Sequence, residues 1–290
     1  MKTRLLSILA LALSAVAVRA VSEGPPVPKE VREVAQVFTE RMMVVKGEGA
    51  APSDRPLGGG QKRLLAQRAA KVVALRELAE TLAGVRVAGD TSVQDAAARS
   101  DQIRTAVDGM VKGAETVYEG YDERAEIATV YLRLNLDGPN GVTGNLLPKI
   151  VEQRAVEVPA APVYAPPVPA APAPPAAVEV ADGLIIDATG KNFRPALINR
   201  IVASNGSVLF EPSKIAPEVL AKRGCGDYTS DLGKAKAILA NHGAKNPIVV
   251  VATGVVRSTD AQVSESDAAA IFTNNGKSNF LESAKVVFVL

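Results

Sequence analysis

Cysteine and histidine occur once each in this 290-residue sequence, and tryptophan does not occur. A single Cys cannot close an internal disulfide, and one Cys with one His cannot complete a closed zinc site. Aromatics make up only 4% of the chain, which leaves little for bases or sugar rings to stack on. Neither sign of charge dominates: 33 Lys and Arg stand against 31 Asp and Glu, a formal net charge of +2. That balance argues against a nucleic-acid partner, which would need a basic face to neutralise phosphates. Beyond the first residues no apolar run reaches membrane-spanning length, so no transmembrane segment is expected. Cores must be built from Val, Leu, Ile and Ala.

The chain opens MKTRLLSILALALSAVAVRA. Lys2 and Arg4 give a positive end, and Leu5 to Val18 is an apolar run of signal-peptide length. Small side chains at Val18 and Ala20 predict cleavage after Ala20. The expected location is the periplasm, with outer-membrane association or secretion as variants. No Cys follows the apolar run closely enough to accept a lipid, because Cys225 is far away.

The clearest boundary is PAAPVYAPPVPAAPAPP, residues 159–175. Proline lacks a donor and fixes φ, so the tract is expected to be extended, at about 3.1 Å per residue, and to act as a semi-rigid spacer. The predicted organisation is a signal peptide over 1–20, an N-terminal segment over 21–40, a first domain over 41–147, a linker over 148–176 and a second domain over 177–290. The fold class is α+β: two small domains, each with helices on one face of a mainly antiparallel sheet.

In the first domain RMMVVKGEG reads as a strand. A helix is predicted from about Gln61 to Leu82, with Leu65, Ala69, Val72, Leu75, Ala79 and Leu82 as its apolar stripe. A second helix from Ser100 to Ala114 carries Ile103, Val107, Met110, Val111 and Ala114 on one face. ETVYEG and IATVYLRLNL read as paired strands, with Val130, Leu132, Leu134 and Leu136 alternating inward. In the second domain GLIID is a strand. ALINRIVASNGSVLFEP is a hairpin turning at Asn205-Gly206. PEVLAKRG and TSDLGKAKAILANHG are helices, and PIVVVATGVVR is one apolar strand. Ser264 and Asp267 form a capping box before AAAIF. VVFVL ends like an outer-membrane barrel strand, but the alternating segments of a barrel are absent, so an internal strand is expected.

Few residues invite chemistry. Asp187 ends a strand in GLIIDATG, where catalytic aspartates are often presented. DATG is neither the DTG of aspartic proteases nor a DxD motif, and Gly190 with Thr189 suits a turn. GGGQKR, residues 58–63, leads into a helix but lacks the GK-Ser/Thr of a phosphate loop. His242 falls at a helix end, and Cys225 sits between two glycines. No catalytic, cofactor-binding or metal residue is assigned, and no cofactor is expected.

RLLAQRAAKVVALRELAETLAGVRV (63–87) and RSDQIRTAVDGMVKGAETV (99–117) resemble the twenty-kilodalton outer-membrane lipoprotein family. That family includes flagellar assembly protein P and resembles the N-terminal domain of flagellar assembly protein T. The shared features are Arg68-Ala69-Ala70, Leu78-Ala79-Glu80, Gly84-Val85, and Ser100-Asp101 through Ile103-Arg104 to Gly113-Ala114. GLIIDATGKNFRPALINRI, NPIVVVATG and VVFVL are similar to the C-terminal half of longer relatives. The resemblance implies assembly rather than chemistry: exported proteins that multimerise beneath the outer membrane, here without the lipid-acceptor Cys. The expected function is a non-catalytic structural protein that self-associates or docks onto an envelope complex, the flagellar basal body among the candidates. The alternatives are an envelope hydrolase using Asp187, and a periplasmic peptide- or glycan-binding module.

Overall fold

A computed structural model describes residues 26–54, 56–153, 161–166 and 180–290. The predicted signal peptide and the cleavage site after Ala20 lie outside the described residues. The N-terminal segment contributes a helix, α1 (Val34–Glu40), closed by Arg41 in the left-handed region at φ 57°. There follow β1 (Met42–Ala50), α2 (Gly59–Ala83), a short ribbon of β2 (Arg86–Ala88) and β3 (Thr91–Ser92), and helices α3 (Val93–Arg99) and α4 (Asp101–Lys112). Ser100 separates the two helices, and its hydroxyl accepts the Ile103 N–H, which satisfies one orphan donor of α4. Strands β4 (Glu115–Asp122) and β5 (Ile127–Asn135) and helix α5 (Val142–Gln153) complete the first domain. Its sheet runs β1-β5-β4 and is antiparallel throughout. Val130, Leu132, Leu134 and Leu136 are buried, as the alternation predicts.

The stripe of α2 differs from expectation. The buried residues are Ala66, Ala70, Ala74, Leu78 and Leu82, while Val72 is 58% exposed. The cause lies in the strand beneath. A Cβ on Gly47 would stand 2.2 Å from the Ala70 carbonyl oxygen and 2.4 Å from the Ala74 nitrogen; one on Gly49 would stand 2.3 Å from the Ala70 nitrogen. The helix therefore lies directly on the strand backbone, glycine against alanine. Larger side chains would hold the two apart, so Leu65 and Val72 rotate off the contact.

The second domain contains β6 (Gly183–Asp187), β7 (Ile201–Ala203), β8 (Val208–Phe210), α6 (Pro217–Arg223), β9 (Asp227–Thr229), α7 (Leu232–Asn241), β10 (Pro247–Val251), β11 (Gly254–Val256), β12 (Asp260–Val263), α8 (Glu265–Ser278) and β13 (Val286–Val289). Gly206 turns the β7–β8 hairpin at φ 82°, and Ser264 caps α8 by accepting the Asp267 N–H. The closing strand is internal, between β6 and β9. The molecule is α+β with two domains, but strand direction departs from the expectation here. The sheet β10-β6-β13-β9 is parallel at every pairing. One face, Ile185, Val287 and Val289, packs on Ala235 and Leu239 of α7; the other, Leu184, Ile186 and Phe288, enters the main core. Burial on both faces removes alternation, which is why these strands read as plain apolar runs. A second sheet, β11-β12-β7-β8, is mixed. PIVVVATGVVR is thus two strands, β10 and β11, in two sheets.

The linker does not hold the domains apart. Helix α5 crosses the expected boundary at 148 and runs to Gln153 with Pro148 inside it. Burial of Leu146, Leu147 and Ile150 outweighs the missing N–H. Within the Pro/Ala tract, residues 161–166 lie along β8, with Val163 opposite Val208 and Tyr164 buried. The domains share one apolar core. The Leu197 and Ile198 N–H groups donate to the Arg86 and Val87 carbonyls at 2.9 and 2.8 Å, and the Gly138 N–H donates to the Lys222 carbonyl. Although aromatics are scarce, four of them line this seam. Phe38 meets Tyr228 edge-on, Tyr228 stacks on Phe288, and Phe288 stacks on Phe193, with centroids 5.1, 5.5 and 5.2 Å apart.

Candidate interaction surfaces

Asp187 stands at the end of β6, where its Oδ1 accepts the Thr189 N–H at 3.0 Å. The Thr189 hydrogen bonds hold its carboxyl below the ordinary aspartate range, and no ionisable neighbour contributes. It closes a turn. Glycines 58–60 form the entry to α2, where Gln61 Oε1 accepts the Gly58 N–H; a Cβ on any of the three would meet open space. Cys225 is buried, and burial pushes its thiol up to about 12. A thiol so protonated is a poor nucleophile. Among the described residues no group of three or more His, Cys, Asp or Glu is placed to hold a metal ion, and no helix is long and apolar enough to cross a membrane.

The structure does bring His242 into company that sequence reasoning missed. Its Nε2 lies 2.9 Å from Asp227 Oδ2. Asp227 also sits 3.7 Å from Arg41 and 3.5 Å from Arg223. Arg41 reaches Asp137 through both Nε, at 2.7 Å, and Nη2, and donates to the Arg223 carbonyl at 3.0 Å. Five charged or titratable side chains from both domains thus meet at the seam. Burial would push the Asp227 carboxyl up, but the His242 hydrogen bond and the Arg41 and Arg223 charges outweigh it and hold the group below its ordinary value. At Asp137 burial wins over Arg41 and the carboxyl is raised. Burial would lower Arg41, but the two aspartates raise it. Nearby, the Tyr228 hydroxyl donates to the Ala196 carbonyl at 2.7 Å and meets Asn199 Oδ1; burial pushes its pKa upward. Every charge here has an opposite partner, and the arrangement fixes one domain against the other. Arg41 lies 96 and 186 positions from Asp137 and Asp227, so no local pattern could announce the cluster.

Chemistry gives way to surface at the sheet edges. An edge strand offers unpaired N–H and C=O groups to another chain, and monomeric proteins guard such edges with charge. Strand β4 ends its sheet carrying Glu115, Glu119 and Asp122; β1 ends the other side with Lys46 and Glu48. Strands β10 and β11 each end a sheet, and from Asn246 to Val256 there is no charged residue. Val249, Val251 and Val256 are 40%, 62% and 39% exposed along this ridge. Helix α7 packs on β6, β9 and β13. The ridge is apolar, strand-forming and uncharged, the properties of a pairing surface.

No curated protein was found to match the chain. Residues 183–290, which begin at the first residue of β6, are similar to a family described as Treponema pallidum Tp0624, second domain.

Proposed function

We propose that this chain is an exported, non-catalytic structural protein of the cell envelope, one that self-associates or docks onto an envelope complex. The observation that carries this reading is the uncharged ridge of β10 and β11, eleven residues without a charge at strands that, among the described residues, end two sheets. Export is supported by the basic start and apolar run before Ala20. A flagellar role rests on the resemblance of residues 63–87 and 99–117 alone. The competing hydrolase reading gains nothing from Asp187, whose carboxyl is engaged by Thr189. Sedimentation velocity on residues 21–290 across a hundredfold concentration range tests the reading, together with cross-linking in intact cells. Concentration-dependent growth in size, or a recovered envelope partner, supports it; a strictly monomeric particle with no cross-linked neighbour ends it.

A further inference from the structure

The middle of the Pro/Ala tract behaves as a bound peptide. The Tyr164 N–H donates to the Val208 carbonyl at 3.1 Å, and the Val208 N–H donates to the Pro162 carbonyl at 2.8 Å. These bonds add residues 161–166 to the edge of the β11-β12-β7-β8 sheet, in parallel. Side chains alternate as on a strand: Val163 is 65% exposed and Tyr164 only 2%. The Tyr164 ring lies 5.8 Å from that of Phe272 on α8. The fit is incomplete, however. The Tyr164 hydroxyl is enclosed without a hydrogen-bond partner among the described residues, and Phe272 stays 44% exposed. An enclosed, unpaired hydroxyl weakens the dock. Pro162 and Pro166 restrict the segment to extended conformations before it binds, so little ordering is lost. Backbone pairing supplies attraction and one side-chain pocket supplies selection, as in strand-addition recognition.

We propose that the groove between β8 and α8 is a docking site for an extended, proline-flanked, tyrosine-bearing segment, and that residues 161–166 of a second copy fill it in exchange for the chain's own. The proposal deepens the self-association reading above and rests on it. Residues 161–166 carry no charge, so nothing repels an identical chain. The cis segment competes at an effective concentration in the millimolar range, so exchange gains with crowding of copies.

Tyr164→Ala in the mature chain removes the anchor and vacates the groove. A labelled hexapeptide of residues 161–166 should bind this variant at least tenfold more tightly than it binds the unaltered chain. It should lose binding when its own Tyr is replaced by Ala. Phe272→Ala, at a half-exposed position, should weaken the peptide as well, and serves if Tyr164→Ala fails to fold. In sedimentation, Tyr164→Ala, which abolishes the dock in trans, should raise the association midpoint at least tenfold, whereas Tyr164→Phe, which alters the cis and trans docks alike, should leave it within about twofold. Absence of peptide binding to the vacated groove overturns the docking site. Peptide binding with unchanged association overturns the exchange and leaves self-association standing, to be sought at β10. An unaltered chain that stays monomeric throughout overturns the exchange, and overturns the reading beneath it as well when cross-linking in intact cells recovers no envelope partner.

Discussion

The contact of α2 with β1 and the parallel sheet around β13 solve the same problem in opposite ways. At the first, helix and strand touch through Gly47, Gly49, Ala70 and Ala74, with backbone against backbone. At the second, Ile185, Ile186, Val287 and Phe288 fill the space with large side chains on both faces. One interface is stabilised by the absence of atoms and the other by their presence. The difference decides which substitutions each tolerates, and which each reveals to a reader of the sequence.

Deletion should damage the parallel sheet most. Phe288 is fully buried and stacks on both Phe193 and Tyr228. Phe288→Ala is expected to cost about 3–5 kcal/mol by urea denaturation. A loss below about 1 kcal/mol would mean that the aromatic stack is not packed as described.

The seam should come next, because it decides whether the two regions unfold together. Asp227→Asn leaves Arg41, Arg223 and His242 facing a neutral group, at an expected cost of about 3 kcal/mol. Asp137 is a third exposed and shares Arg41 with Asp227, so Asp137→Asn should cost about 1 kcal/mol or less. The expected sign with pH follows from the shifts. The Asp227 carboxyl is depressed in the fold, so its stabilisation is present above the ordinary aspartate range and is lost as pH falls through the depressed value. Asp137 is raised, so the fold takes up its proton first and gains relative stability as pH falls through that raised value. Unfolding followed from pH 7 down to about pH 2 should therefore show a steeper acid loss in Asp137→Asn than in the unaltered chain. In Asp227→Asn the acid loss should be shallower. The reverse ordering would place the dominant charge elsewhere.

Addition should damage the α2 contact. Gly→Ala at a permissive site stabilises by about 0.4–1 kcal/mol through the unfolded state. At Gly47 the new methyl would meet backbone atoms at 2.2 and 2.4 Å, which cannot swing aside. Gly47→Ala is expected to destabilise by about 1–3 kcal/mol, whereas Gly60→Ala, inside α2 and facing open space, should not. Equal effects at the two positions would erase the distinction between the interfaces.

The same contrast explains what was legible in the sequence. Strand β5 announced itself because Thr129, Arg133 and Asn135 keep one face polar, and the alternation of Val130 to Leu136 survives in the letters, although Tyr131 on the polar face is buried. The ends of α4 and α8 were legible because Ser100 and Ser264 satisfy helix donors locally. The stripe of α2 is obscured because helical spacing also fits the larger apolar residues Leu65, Val72 and Leu75. The usable signal was glycine at 47 and 49 together with alanine at 66, 70 and 74. Strand direction in the second domain was hidden because burial on both faces erases alternation; the unbroken apolar runs themselves point to parallel pairing. Tyr164 lies in a tract whose composition reads as a spacer, although a lone aromatic amid proline and alanine has little reason to stay in water. The charged seam had no local signature at all, since Arg41, Asp137 and Asp227 meet only through the fold.

The smallest effect on folding is expected at the ridge, and there it would be the most informative. Val251 is 62% exposed on an edge strand. Val251→Lys should change stability by no more than about 0.5 kcal/mol, as surface substitutions do. A lysine on a strand edge nevertheless opposes pairing with another chain. If the ridge joins copies, this variant should remain folded by circular dichroism and yet shift to smaller species in sedimentation. The guarded strand β4 supplies the control: Glu119→Lys exchanges one charge for another on an edge already charged, and should leave the size distribution unchanged. A parallel response at both edges would mean that net charge, not the bare valine ridge, governs association.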